Sequence, residues 1–267
     1  MDELLSNPAV QAGVAPFVAG LLAALLLQPL RLGGLAAAAA FLVAVQLVSG
    51  IQFSPLNATR KIVLLAMAAP LVGILVDFGF KPTRFGAIVL ALAAGAGALW
   101  VVEPVLAQRA PAEAWILGTA AVVACAFLVG FSLVALAQDA VRAGAAALAL
   151  GVGVGVAAIL SASVAYGSYG IALGAGAGAF LLPQMLLGRR FFAGGTFTLP
   201  AMLIGGLVAC GAMVLAKLPW TALLVFALVP LAVRLPGPER APVWLQAVIF
   251  SAYGFAVAGL ACFLAWP

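Results

Sequence analysis

The chain is a succession of long apolar runs broken by short charged, proline-bearing or polar segments. A bilayer is the physical setting that such a pattern fits. Its hydrocarbon core is crossed by roughly 20 predominantly apolar residues in helical form, since each backbone donor and acceptor must be satisfied within the segment. Hydrophobic residues make up 67% of the 267 and charged residues 7%, whereas soluble domains are close to half apolar. The expected fold class is an all-α polytopic membrane protein with no soluble domain.

Breaking the sequence at charges, prolines and polar clusters predicts about ten transmembrane helices, near 9–30, 32–52, 62–80, 85–106, 112–137, 143–165, 169–187, 197–216, 218–234 and 242–265. Most boundaries carry a marker such as Arg31, Lys81-Pro82-Thr83-Arg84, Arg189-Arg190 or Pro236-Gly237-Pro238-Glu239-Arg240. The uncharged Tyr166-Gly167-Ser168-Tyr169 is read as a turn, and Lys217-Leu218-Pro219 as a very tight one, so nine spans is the competing count. Connections after odd-numbered spans hold Arg31, Lys81, Arg84, Arg142, Arg189, Arg190, Arg234 and Arg240, against Arg60, Lys61, Arg109 and Lys217 in the others. Basic residues concentrate on the cytoplasmic side, which places both termini outside. The acidic start, Met1-Asp2-Glu3-Leu4-Leu5, lacks the basic region of a secretory signal, so the first span is expected to be retained. The richness in Ala, Gly and Val fits a bacterial inner-membrane protein.

Short matches recur in the same order along the chain. Ala9-Val10-Gln11-Ala12-Gly13 is echoed by Ala140-Val141-Arg142-Ala143-Gly144, and Ala40-Phe41-Leu42 with Gln46 and Gly50 by Ala179-Phe180-Leu181 with Gln184 and Gly188. Leu64-Leu65-Ala66-Met67 faces Leu199-Pro200-Ala201-Met202, and Arg109-Ala110-Pro111 faces Arg240-Ala241-Pro242. These predict two five-helix units, 1–138 and 139–267. An odd number of spans per unit turns the second upside down relative to the first, which is the inverted-repeat layout of many carriers.

The absence of histidine removes imidazole-ligated haem and histidine-dependent zinc chemistry. Cys125, Cys210 and Cys262 each stand alone in apolar runs and are expected to behave as small buried hydrophobes. No H-E-x-x-H, P-loop or magnesium-binding acidic cluster is present, so neither an enzyme nor a cofactor is expected. Basic residues spread singly between apolar runs argue against nucleic acid as a partner.

No acid falls near a span centre. Asp77 is read as a boundary ion pair with Lys81 four residues on, and Glu103 and Asp139 as interfacial groups. The candidate solute-binding residues are therefore uncharged: Gln46 and Gln184 at matching repeat positions, Pro70 and Pro183 as helix interruptions that free a carbonyl, and Tyr253 within span ten. Gly151, Gly153 and Gly155, with Gly170, Gly174 and Gly178, predict close packing of spans six and seven. The functional expectation is a secondary carrier for a small neutral or weakly anionic solute, working by alternating access between spans two, three, seven and eight. The alternative is a non-transporting subunit that packs against lipid, a protein partner or a second copy.

Overall fold

In the computed structural model, which describes residues 7–79, 83–238 and 240–266, helices start where the chain supplies an acceptor or a proline. Asn57 accepts from the Arg60 amide at 3.0 Å, Thr83 from Gly86 at 3.0 Å, and Asp139 from both Val141 and Arg142 at 3.2 Å. Pro111 opens its own helix. Each of these either satisfies or dispenses with a donor that the first helical turn leaves unpaired.

The helical stretches are α1 (Val10–Leu26), α2 (Gly33–Val48), α3 (Ala58–Gly79), α4 (Arg84–Leu106), α5 (Pro111–Ala135), α6 (Ala140–Leu160), α7 (Val164–Leu187), α8 (Gly194–Leu215), α9 (Trp220–Val233) and α10 (Val243–Leu264). They follow the ten expected segments in order. Seven of them, α3 to α8 and α10, are long and apolar enough to cross a membrane, while α1, α2 and α9 are shorter. The fold is 82% helix, with no strand among the described residues, and is that of an integral, multi-pass membrane protein.

One local expectation needs correcting, and another falls outside the described residues. Tyr166-Gly167-Ser168-Tyr169 is helix rather than turn, because Ser163 accepts from the Tyr166 amide and starts α7 at Val164. The supposed Asp77–Lys81 pair cannot be placed, since Lys81 lies outside the described residues, as does Glu239. Asp77 itself sits in a π-helical turn, Leu75–Gly79, that ends α3 and engages a different helix.

Large apolar side chains cover the outer surface: Leu71, Leu92, Trp115 and Phe263 are each more than 60% exposed. Such a surface suits hydrocarbon. At the centre stands α8, whose most apolar stretch is 94% buried, against 28% for α3 and α10. It is surrounded by α3, α4, α5, α6 and α7.

Lipid tails are as apolar as the protein interior, so helices associate through close packing rather than through the hydrophobic effect. Small residues permit that closeness. A Cβ on Gly151 would collide with the Gly174 backbone, and one on Gly170 with the Gly155 backbone, so α6 and α7 touch main chain to main chain. Gly205 of α8 likewise leaves room for Leu150, where an added Cβ would stand 2.6 Å from its Cδ2. The glycine spacing in these spans thus serves packing.

Gly151→Leu is expected to destabilise the fold by about 1–3 kcal/mol or more, through overpacking against immovable backbone. Gly259→Ala, where an added Cβ meets nothing within 4 Å, is expected to leave stability unchanged. Thermal unfolding of the two variants in one detergent compares them directly.

Candidate functional site

The four helices α2, α3, α7 and α8 meet along one interface, and its polar contacts sit at opposite ends. At the first end, the π-helical turn carries the Asp77 carboxylate to the start of α8. There Oδ1 accepts from the Gly195 amide at 2.7 Å, and Oδ2 accepts from the Thr196 amide at 2.7 Å and from the Thr196 hydroxyl at 2.6 Å. The Gly194 amide donates to the Ala137 carbonyl at 3.0 Å. The first three N–H groups of α8 are thereby satisfied, by charge-assisted bonds at a helix end whose dipole favours a negative charge.

Only glycine serves at position 194. Its φ of +56° lies in the left-handed region, and an added Cβ would run into the Asp77 carboxylate. Beside this contact lies a largely apolar cavity of about 500 Å³, edged by the polar groups of Asp77, Thr83 and Gln138.

At the other end, two hydroxyl pairs join the halves of the chain. The Ser49 hydroxyl, just past α2, lies 2.8 Å from the Tyr169 hydroxyl of α7, and Thr59 of α3 lies 3.0 Å from that of Tyr166. Ser49 also donates to the Val45 carbonyl at 3.2 Å, which leaves Tyr169 to supply the shared proton. The two tyrosine rings stand edge to face at 6.1 Å, and Tyr169 meets Phe41 in the same manner at 5.7 Å. Gly211 of α8 makes space for the Tyr166 ring. Nearby, the buried Lys61 ammonium donates to the Trp100 carbonyl at 2.8 Å, lies 4.8 Å from the Trp100 ring centre and stands 3.8 Å from Glu103. Glu103 is thus an exposed ion-pair partner.

Between the two ends the helices are held by small residues. Gly176 of α7 packs on Ala36, Ala37 and Ala40 of α2, and next to the Asp77 end Gly73 of α3 packs on the Gly195 and Thr196 backbone. Among the described residues no charged side chain lies in this seam.

The sequence-derived amides are not brought together. Gln46 is exposed near the end of α2, where its Oε1 accepts from the Ile51 amide at 3.2 Å. Gln184 is fully buried, donating to the Phe180 carbonyl at 2.9 Å and accepting from the Phe191 amide at 3.0 Å. Gln46 precedes Ser49, which touches Tyr169, whereas Gln184 lies roughly 22 Å farther along α7 at 1.5 Å per residue. The two therefore mark opposite ends of the interface. Pro70 and Pro183 are buried within continuous stretches of α3 and α7. Tyr253 donates to the Pro236 carbonyl at 3.4 Å from α10, outside the four-helix interface.

Residues with polar contacts here, Ser49, Thr59, Asp77, Tyr166, Tyr169 and Thr196, were absent from the sequence-derived set. One signal was available: Tyr166 and Tyr169 are three apart and so share a helix face. Cys125 and Cys210, expected to stand alone, meet as free thiols at 3.6 Å between α5 and α8. Comparison with protein-family models, with curated proteins and with solved structures gives no match, so the arrangement is interpreted from its own geometry.

Replacing Asp77 with Ala strips acceptors from two amides and a hydroxyl, and is expected to destabilise the protein by about 1–3 kcal/mol. Asp77→Asn keeps one acceptor oxygen and is expected to lose less. Unfolding midpoints rank the variants, and faster hydrogen exchange at Gly195 and Thr196 in Asp77→Ala ties the loss to the start of α8.

Proposed function

We propose that the chain is a secondary carrier, moving a small neutral or weakly anionic solute by alternating access along the α2–α3–α7–α8 interface. The observation that carries this reading is the pair of polar latches at opposite ends of one interface, Asp77 on the start of α8 and the hydroxyl pairs Ser49–Tyr169 and Thr59–Tyr166. A carrier needs two closures that open in turn. Both of these consist of hydrogen bonds that water replaces on opening, and the seam between them is built of small residues that let helices slide or tilt. No catalytic step is assigned to it.

The inverted repeat of units 1–138 and 139–267 belongs to the same proposal. It is supported by the partners equated in the repeat, α2 with α7 and α3 with α8, since each pair packs directly, as helices astride a pseudo-two-fold axis do. Burial departs from that symmetry: α8 is 94% buried and α3 28%. The proposed symmetry is therefore one of helix order and not of equal packing. Because Lys and Arg concentrate in the connections after odd-numbered helices, we assign the Asp77 end to the cytoplasm and both termini to the outside of a bacterial inner membrane.

A second reading, a non-transporting subunit packed against a partner protein or a second copy, draws on the apolar contacts that enclose α8. The two readings diverge in one experiment. In a background with Cys125, Cys210 and Cys262 replaced by Ala, a reporter Ala69→Cys on the buried face of α3 is combined with cysteine pairs. Ser49→Cys with Tyr169→Cys locks one latch, and Asp77→Cys with Thr196→Cys locks the other. Alternating access is expected to give labelling of the reporter by an impermeant maleimide from the side opposite the locked latch. A reporter that stays unreactive from both sides under either lock would favour the static subunit.

A further inference from the structure

A concentration of positive charge lies where the α5–α6, α7–α8 and α9–α10 connections converge. A cavity of about 390 Å³ there is lined by Asp139, Arg142, Arg190, Arg234, Gln246 and Phe250. That volume is within the roughly 300–1,000 Å³ typical of small-molecule sites. Among the described residues three guanidinium groups face a single carboxylate, and that carboxylate is already engaged by the Arg142 Nε at 3.3 Å and by the first amides of α6.

Arg142 is the built element of this site. It is 5% exposed, its Nη1 donates to the Val233 and Leu235 carbonyls at 2.9 and 3.0 Å, and its guanidinium lies over the Phe250 ring at 4.1 Å. Those contacts hold the plane of the group. Its Nη2 makes no hydrogen bond among the described residues, so two donors remain on a fixed, buried cation. Arg190 is positioned by donating to the Gln246 Oε1 at 2.7 Å, and Gln246 is anchored in turn on the Ala241 carbonyl at 2.7 Å. Arg234 is exposed and has no ion-pair partner among the described residues.

A fixed guanidinium with spare donors, flanked by one anchored on Gln246 and one exposed, suits an oxyanion that accepts from several directions at once. Arginine forks match phosphate in this way. The depth is that of a lipid headgroup, since all three arginines sit at the ends of helices or in their connections. Exposed apolar side chains adjoin the site in sequence on α9, the connection after it and α10, among them Leu231, Leu235 and Trp244. They offer a surface for acyl chains. Basic pockets between helix ends bind anionic headgroups by the same physics.

We infer that this pocket binds a phosphate group, clasped by Arg142, Arg190 and Arg234, with the phosphodiester of an anionic phospholipid as the favoured source. The inference does not depend on the carrier reading.

The test uses the full chain in nanodiscs of phosphatidylcholine alone or with phosphatidylglycerol, and in detergent with inorganic phosphate titrated in. Retained lipid is read by native mass spectrometry, and stability by the unfolding midpoint. Arg234→Gln and the double variant Arg190→Gln/Arg234→Gln alter exposed side chains, and their unfolding midpoints without either probe check that the fold is kept. Arg109→Gln, in a connection on the opposite side, is the control. Phosphatidylglycerol is expected to be retained by the wild type and the control and to raise their midpoints. Each arginine removed from the pocket is expected to weaken retention roughly tenfold. Protection by inorganic phosphate without lipid retention, lost in the same variants, would keep the phosphate site and assign it to a free ion. Equal retention by wild type and double variant, or no response to either probe, would overturn the assignment.

Discussion

The close approach of backbones around α6, α7 and α8 is the constraint on which the rest of the molecule depends. In hydrocarbon, a leucine gains little by exchanging lipid for protein, so a helix can be enclosed only where contact is dense and main chains come together. Gly151, Gly155, Gly170 and Gly174 create that contact between α6 and α7, and Gly205 extends it to α8. The enclosure of α8 follows. The first amides of a helix so deeply buried need acceptors supplied by the protein, and the chain brings one from elsewhere.

That acceptor is Asp77, and its position connects packing with electrostatics. The carboxylate comes from α3, more than a hundred residues earlier in the chain, and reaches α8 through a π-helical turn that shifts the side chain out of regular helical register. Gly194 must be glycine for the two to meet. At the opposite end of the same interface the contacts are hydroxyl pairs, so the two sets of contacts differ in kind: one is made by a carboxylate and the other by neutral hydroxyls.

Charge is otherwise kept to the ends of the helices. Lys61 is buried yet satisfied by the Trp100 carbonyl and by Glu103, and Arg142 by two carbonyls, Asp139 and an aromatic face. In both cases a long side chain lies along apolar surface while its head finds oxygen atoms at a helix terminus. The basic pocket around Arg142 differs from the pin at Lys61 in having donors to spare. Its chemistry follows from that surplus.

Much of this was legible from the sequence alone. Apolar runs between charged markers read as helices, so the order of ten helical segments was determined locally, whereas only seven of them are long and apolar enough to cross a membrane and the capping contacts of Asn57, Thr83 and Asp139 emerged from the structure. The small-residue spacing at Gly151 and Gly170 likewise pointed to tight packing. The placement of polar groups was not legible, because an amide at a helix end and one in a cavity read alike in sequence. Gln46 turned out exposed and Gln184 buried in a local cap, although their neighbourhoods match. The meeting of Asp77 with Thr196, of Ser49 with Tyr169, and of Arg142, Arg190 and Arg234 at one pocket was decided by the tertiary structure alone. The physical reason is that apolar periodicity fades when lipid and interior are equally apolar. Which face of each helix turns inward is then set by shape complementarity between segments distant in the chain, and a single sequence does not display that.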